Sequence, residues 1–143
     1  MRLLSLTLLF ATTALAAPTT SVLGDWQTPT NSIVRIAHCG TSTDVCLTVV
    51  KLSPTAPETT DNQNPDAALR NRRLCGLTVG TGFHPSDPND LTDGHLYDPK
   101  SGHTYRGTIT AAGDTLHLHG YIGISLFGRS ETWHRVPTIT PCK

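Results

Sequence analysis

Residues 94–111 read GHLYDPKSGHTYRGTITA. At their centre, Asp98-Pro99-Lys100-Ser101-Gly102 is a turn signal. Pro fixes one backbone angle, Asp and Ser bond neighbouring backbone, and Gly takes conformations that other residues avoid. The flanks, Gly94 to Tyr97 and His103 to Ala111, carry aromatic and β-branched residues. Two such runs around such a turn predict a β-hairpin.

The same reading extends in both directions. Downstream, Gly113-Asp114 turns the chain into a strand from Thr115 to Ile122, and Ser130 to Val136 is the last strand. Upstream, Val22 to Gln27, Ser32 to Cys39, Val45 to Leu52 and Leu74 to Val79 read as strands. The stretch 80–93 reads as turns. Residues 53–66 form a long polar loop, expected to end in a short helix from Pro65 to Arg70 with Asn64 as its cap. About eight strands with closely spaced turns predict an all-β chain, a small antiparallel barrel or sandwich with one short helix. Composition agrees: 23 threonines and 22 Gly plus Pro stand against 2 glutamates in 143 residues, which disfavours helix bundles and coiled coils.

Eleven basic residues balance eleven acidic ones, which argues against nucleic acid as a partner. Met1-Arg2 precedes an apolar run from Leu3 to Leu15, followed by Ala14-Leu15-Ala16. A basic start, an apolar centre and a small-residue cleavage site predict a secretory signal over residues 1–16. The run is too short to span a bilayer, and no transmembrane segment is expected in the mature chain. Residues 17–143 are then one domain, periplasmic or secreted.

Export makes the four cysteines a disulfide framework. Cys39 and Cys46 flank a turn between two strands, so they are expected to pair. That leaves Cys75 with Cys142. No C-x-x-C occurs, which disfavours a thiolate metal site.

Gly24-Asp25-Trp26 at the first strand, with Arg135 in the last, resembles the pattern of the calycin barrels, the lipocalins and their relatives. There a Trp plugs one barrel end and an Arg packs across its face, so Trp26 and Arg135 are the expected closure pair. The longer motif string is more specific. It runs through Val34-Arg35-Ile36-Ala37-His38-Cys39-Gly40, Asp61-Asn62-Gln63-Asn64-Pro65-Asp66, Asp93-Gly94-His95-Leu96-Tyr97-Asp98-Pro99, Gly120-Tyr121-Ile122-Gly123 and Thr132-Trp133-His134-Arg135-Val136. This string resembles domain-of-unknown-function family 2147, small exported bacterial proteins. The resemblance implies a calycin-like barrel and brings no catalytic residues with it. Leu47 stands where relatives often have Gly after the second cysteine.

Few residues are candidates for chemistry. His117 and His119 share a face of one strand and are the only metal candidates, with His103 or His134 as a third ligand. No cofactor is expected. Ser125 lies in no nucleophile elbow, no phosphate-binding loop occurs, and Glu58 and Glu131 are the only glutamates. The Asp61–Asp66 segment lacks the spacing of a calcium loop and reads as turn and cap chemistry. Arg70, Arg72 and Arg73 read as a solvated helix end. Asp93, Tyr97, Asp98 and Tyr105 cluster around one hairpin as turn chemistry or a polar lip. The expectation is a non-enzymatic envelope barrel holding a small apolar or amphiphilic ligand. The alternatives are an envelope protein-interaction module using residues 53–73 and a His-dependent metal enzyme.

Overall fold

The structure, a computed structural model, describes residues 21–143. The signal sequence expected at residues 1–16 lies outside them. Eight antiparallel strands follow one another around a closed barrel. They are β1 (Gly24–Gln27), β2 (Ile33–His38), β3 (Val45–Lys51), β4 (Thr78–Asp87), β5 (Asp90–Asp98), β6 (His103–Ala112), β7 (Thr115–Tyr121) and β8 (Arg129–Val136). β8 returns to β1 and sets Arg135 opposite Trp26.

Alternation decides which side chains enter. On β7, Leu116 and Leu118 are buried while His117 between them is exposed. Trp26, Val34, Ile36, Leu47, Phe83, Leu91, Ile109 and Trp133 join the same core. These side chains fill the middle of the barrel. Glycines face two of the large ones and a partly buried neighbour: a Cβ on Gly80 would meet Leu47, one on Gly94 would meet the Phe83 ring, and one on Gly107 would meet Leu96, which packs against the core. The inner wall therefore omits side chains where its neighbours need the room.

One end of the barrel is capped by the chain entering β1. The Trp26 indole N–H donates to Val22 O at 2.8 Å, and Val22 N–H donates to Pro88 O at 3.0 Å. The C-terminal tail crosses the outside of β1 to β3. Ile139 N–H donates to the Asp25 carboxylate, Arg35 pairs with that carboxylate at 2.7 Å, and Cys142 N–H donates to Val50 O. Disulfides join Cys39 to Cys46 across the β2–β3 turn and Cys75 to Cys142 at the tail.

Three local expectations change. The stretch 80–93 is the β4–β5 hairpin, with His84 opposite Thr92 and Pro85 opposite Leu91. Register shifts and two prolines hide its period of two. Of Leu74 to Val79, only Thr78 and Val79 belong to a strand; Leu74 to Leu77 is a turn closed by Leu77 N–H on Leu74 O. The helix expected at Pro65–Arg70 is a single 3-10 turn, Ala67–Leu69, capped by Asp66 rather than Asn64. Asn64 is engaged elsewhere, and the Arg70 side chain folds back onto Asn64 O at 2.8 Å.

Candidate functional site

The sequence candidates come to rest in different places. The Arg135 guanidinium lies over the Trp26 ring at the capped end, and donates to the backbone oxygens of Ser21 and Leu23. His117 and His119 lie on the outer face of β7. His119 uses both ring nitrogens, one with Ser130 Oγ at 2.8 Å and one with Ser125 O at 2.7 Å. His117 sits near Thr132. Neither His103 nor His134 completes a set with them: among the described residues, no three His, Cys, Asp or Glu side chains gather as a metal site.

The more organised chemistry lies where the 53–77 segment crosses the outside of β4, β5 and β6 as a strap. Its ends are tied by a bridge between Thr60 and Arg73 and by Asp61 N–H donating to Arg72 O. Asp61 is fully buried beneath it. One carboxylate oxygen accepts from the Tyr97 hydroxyl at 2.5 Å. The other accepts from Asn64 Nδ2 at 2.8 Å and Arg72 Nε at 2.7 Å. Asn64 Nδ2 also donates to the Tyr97 hydroxyl, and its Oδ1 accepts from Asp66 N–H. The Arg72 guanidinium lies 5.6 Å from the centre of the Tyr97 ring.

A buried carboxylate is tolerated only when such partners replace water. Burial pushes the Asp61 carboxyl up, but the bonds from Tyr97, Asn64 and Arg72 outweigh it and hold it below the ordinary range. Burial, and then the hydrogen bond to Asp61, push the Tyr97 phenol up. The arginines expected at a solvated helix end thus include one that neutralises the buried acid. Gly102 in the β5–β6 turn has φ +73° and lies against Gln63 O, so the strap rests on a position where a side chain would intrude.

Between strap and sheet lies a pocket of about 320 Å³. Asn64, Pro65 and Arg72 supply its strap side. Thr78, Val79, Thr81, His95, Tyr97, Gly102 and Thr104 supply the rest. Thr81 stands opposite His95, and Tyr97 opposite Thr104, in the strand register. A second hollow of about 390 Å³ lies at the capped end, lined by Val22, Leu23, Val45, Leu91 and two prolines together with Ser21, His38 and Asp87.

Sequence reading missed the first pocket because its walls come from three separated segments. The signal available was the pairing of two dense polar motifs, Asp61–Asp66 and Asp93–Pro99, each more polar than its own turn requires.

Comparison with known proteins agrees with this architecture. No curated protein matches the chain. Protein HP1028 from Helicobacter pylori, whose structure is described as belonging to the lipocalin family, superposes with a TM-score of 0.74 at 20% identity, over 82% of this chain and 84% of that one. That likeness shows the fold. The family model described as "Uncharacterized protein conserved in bacteria (DUF2147)" matches residues 24–135, and the chain belongs to that family.

Proposed function

We propose that this family member is an exported, non-enzymatic binding protein of the bacterial envelope, and that it carries a small polar ligand in the pocket beneath the strap. Barrels of this kind have room for one small ligand or are filled by their own side chains. Here Trp26, Phe83, Leu47 and Leu91 occupy the centre. The filled centre moves the reading from an apolar ligand inside the barrel to a polar one outside it. The observation that carries the proposal is the buried Asp61 network. Four polar side chains fix the shape of a pocket wall whose remaining donors face open space. The leader at residues 1–16 and the two disulfides support export.

A second reading places an apolar ligand in the hollow at the capped end, favoured by its Val22, Leu23, Val45 and Leu91 lining. Native mass spectrometry of protein purified from the envelope fraction separates the two. The proposal expects a chain beginning at Ala17 that carries a small adduct. The adduct is lost when Thr104→Leu fills the strap pocket and kept when Leu23→Trp fills the other hollow. An adduct that survives Thr104→Leu, or a mature chain with no adduct, overturns it.

A further inference from the structure

We infer that the ligand of the strap pocket carries an oxyanion, a carboxylate or a phosphate, received by the terminal nitrogens of Arg72. This rests on the reading that the strap pocket is the binding site. The class follows from which polar groups are already used. Both Asp61 oxygens are taken by Tyr97, Asn64 and Arg72, and the carboxylate is buried behind the wall. Asn64 has a partner for its oxygen and spends its amide on Asp61 and Tyr97. The Tyr97 hydroxyl both donates and accepts. These three groups build the wall and have little left for a ligand.

Arg72 is different. Its Nε is committed to Asp61, while its two terminal nitrogens have no partner among the described residues and its side chain is 37% exposed. The His95 ring and the hydroxyls of Thr81 and Thr104 are likewise without hydrogen-bond partners among those residues. The pocket therefore presents the guanidinium fork, three further groups able to donate, and no carboxylate among its lining residues. The Asp61 carboxylate offsets the Arg72 charge from behind the wall, so on the pocket side a cation would meet N–H donors and no carboxylate among the lining residues. An oxyanion would meet a planar two-nitrogen fork whose matching geometry gives strong, directional bonds. The fork is also held in advance. Asp61 anchors Nε and the Tyr97 ring lies alongside, so ordering Arg72 adds little to the cost of binding. A pocket of about 320 Å³ takes a compact molecule, not a lipid chain.

The test is an NMR titration of the mature, disulfide-bonded chain at constant ionic strength. The probes are succinate, inorganic phosphate, sorbitol as neutral polyol and tetramethylammonium as cation. The inference expects saturable shifts at Thr81, His95 and Thr104 with succinate, phosphate or both, and none with sorbitol or tetramethylammonium. A response to only one anion identifies the headgroup. Arg72→Lys keeps the charge and loses the fork, and should weaken anion binding by about tenfold or more. If Arg72→Lys releases the strap, seen as loss of the Tyr97 hydroxyl bond, Thr104→Leu must abolish the same shifts with the Asp61 network intact. Silence of both anions at these residues, or shifts unchanged in both variants, overturns the inference. Saturation of the same residues by sorbitol alone overturns the oxyanion class and leaves the pocket standing. A native adduct that persists in Thr104→Leu removes the pocket itself.

Discussion

The Arg135 guanidinium lies 4.1 Å above the Trp26 ring, and the two residues are also direct partners across the seam where β8 meets β1. One contact therefore serves two purposes: it covers the indole and it closes the sheet. Arg135 further donates to the Ser21, Leu23 and Gly113 carbonyls, tying three segments at the capped end.

Arg135→Ala should cost about 2–4 kcal/mol, from lost cation–π attraction and from carbonyls left without donors. Arg135→Lys should recover only part, because an ammonium cannot lie flat on the ring and reach three carbonyls together. Urea unfolding followed by Trp fluorescence measures both. A loss within the range of an ordinary surface substitution would mean that the stack does not hold the seam.

Gly94→Ala should destabilise the barrel by about 1–3 kcal/mol, since the new methyl would press on the Phe83 ring in a filled core. Adding Phe83→Leu should return part of that loss. Simple additivity in the double-mutant cycle would show that the two positions do not share the space.

Stability should depend on acid through two carboxylates. The Arg35 hydrogen bond, opposed by burial and helped by Ile139 N–H, holds the Asp25 carboxyl below its ordinary value of 3.8. Asp61 is lowered as well, by Tyr97, Asn64 and Arg72 acting against burial. A lowered folded pKa means stability that is complete above the ordinary value and is lost as pH falls through the folded one. Unfolding free energy should therefore hold steady from neutral pH towards the ordinary value and fall below it. Asp61→Asn should be less stable at pH 7 and lose less on acidification. Tyr97 is raised, so its contribution is complete below its ordinary value of 10.0 and fades as pH rises through the folded one. Tyr97→Phe should remove that alkaline loss. Denaturation midpoints across the pH range decide both signs.

Replacing Cys75 and Cys142 by Ser should cost roughly 4 kcal/mol in the chain-entropy account, and replacing Cys39 and Cys46 about 2.5 kcal/mol, because the first pair closes a far longer loop. Thermal unfolding of the two double variants should rank them in that order. The reverse order would indicate that the tail contacts at Asp25 and Val50 already hold the longer loop closed.

The barrel was legible because several of its strands carry a period of two and clear turn residues separate them. β3, β6 and β7 alternate buried and more exposed residues over much of their length. The β4–β5 hairpin was not, since Gly82 and Pro85 are turn residues by type and only the neighbouring strands make them part of a sheet, while the turn itself is just Pro88 and Asn89. Asn64 shows a second limit. Its position before Pro65 suits a helix cap, yet its amide finds Asp61 and Tyr97, the latter 33 positions away. Local preference lost to a tertiary bond. The candidate site was least visible, because Arg72, His95 and Thr104 become neighbours only after β4, β5 and β6 have aligned and the strap has crossed them.

Closure of the sheet by β1 and β8 also sets a timetable. Trp26 cannot meet Arg135 until everything between them has left the ribosome, so the seam is the longest-range pairing in the barrel and among the last to be made. A pairing this distant must close a long loop before its contacts reward it, so the seam is slow to form compared with the hairpins between consecutive strands. A polypeptide that crosses a membrane before folding, as the proposed export requires, gains from that delay. It stays threadable while its final strand is still to come, and it becomes a cylinder without exposed strand edges only on the far side.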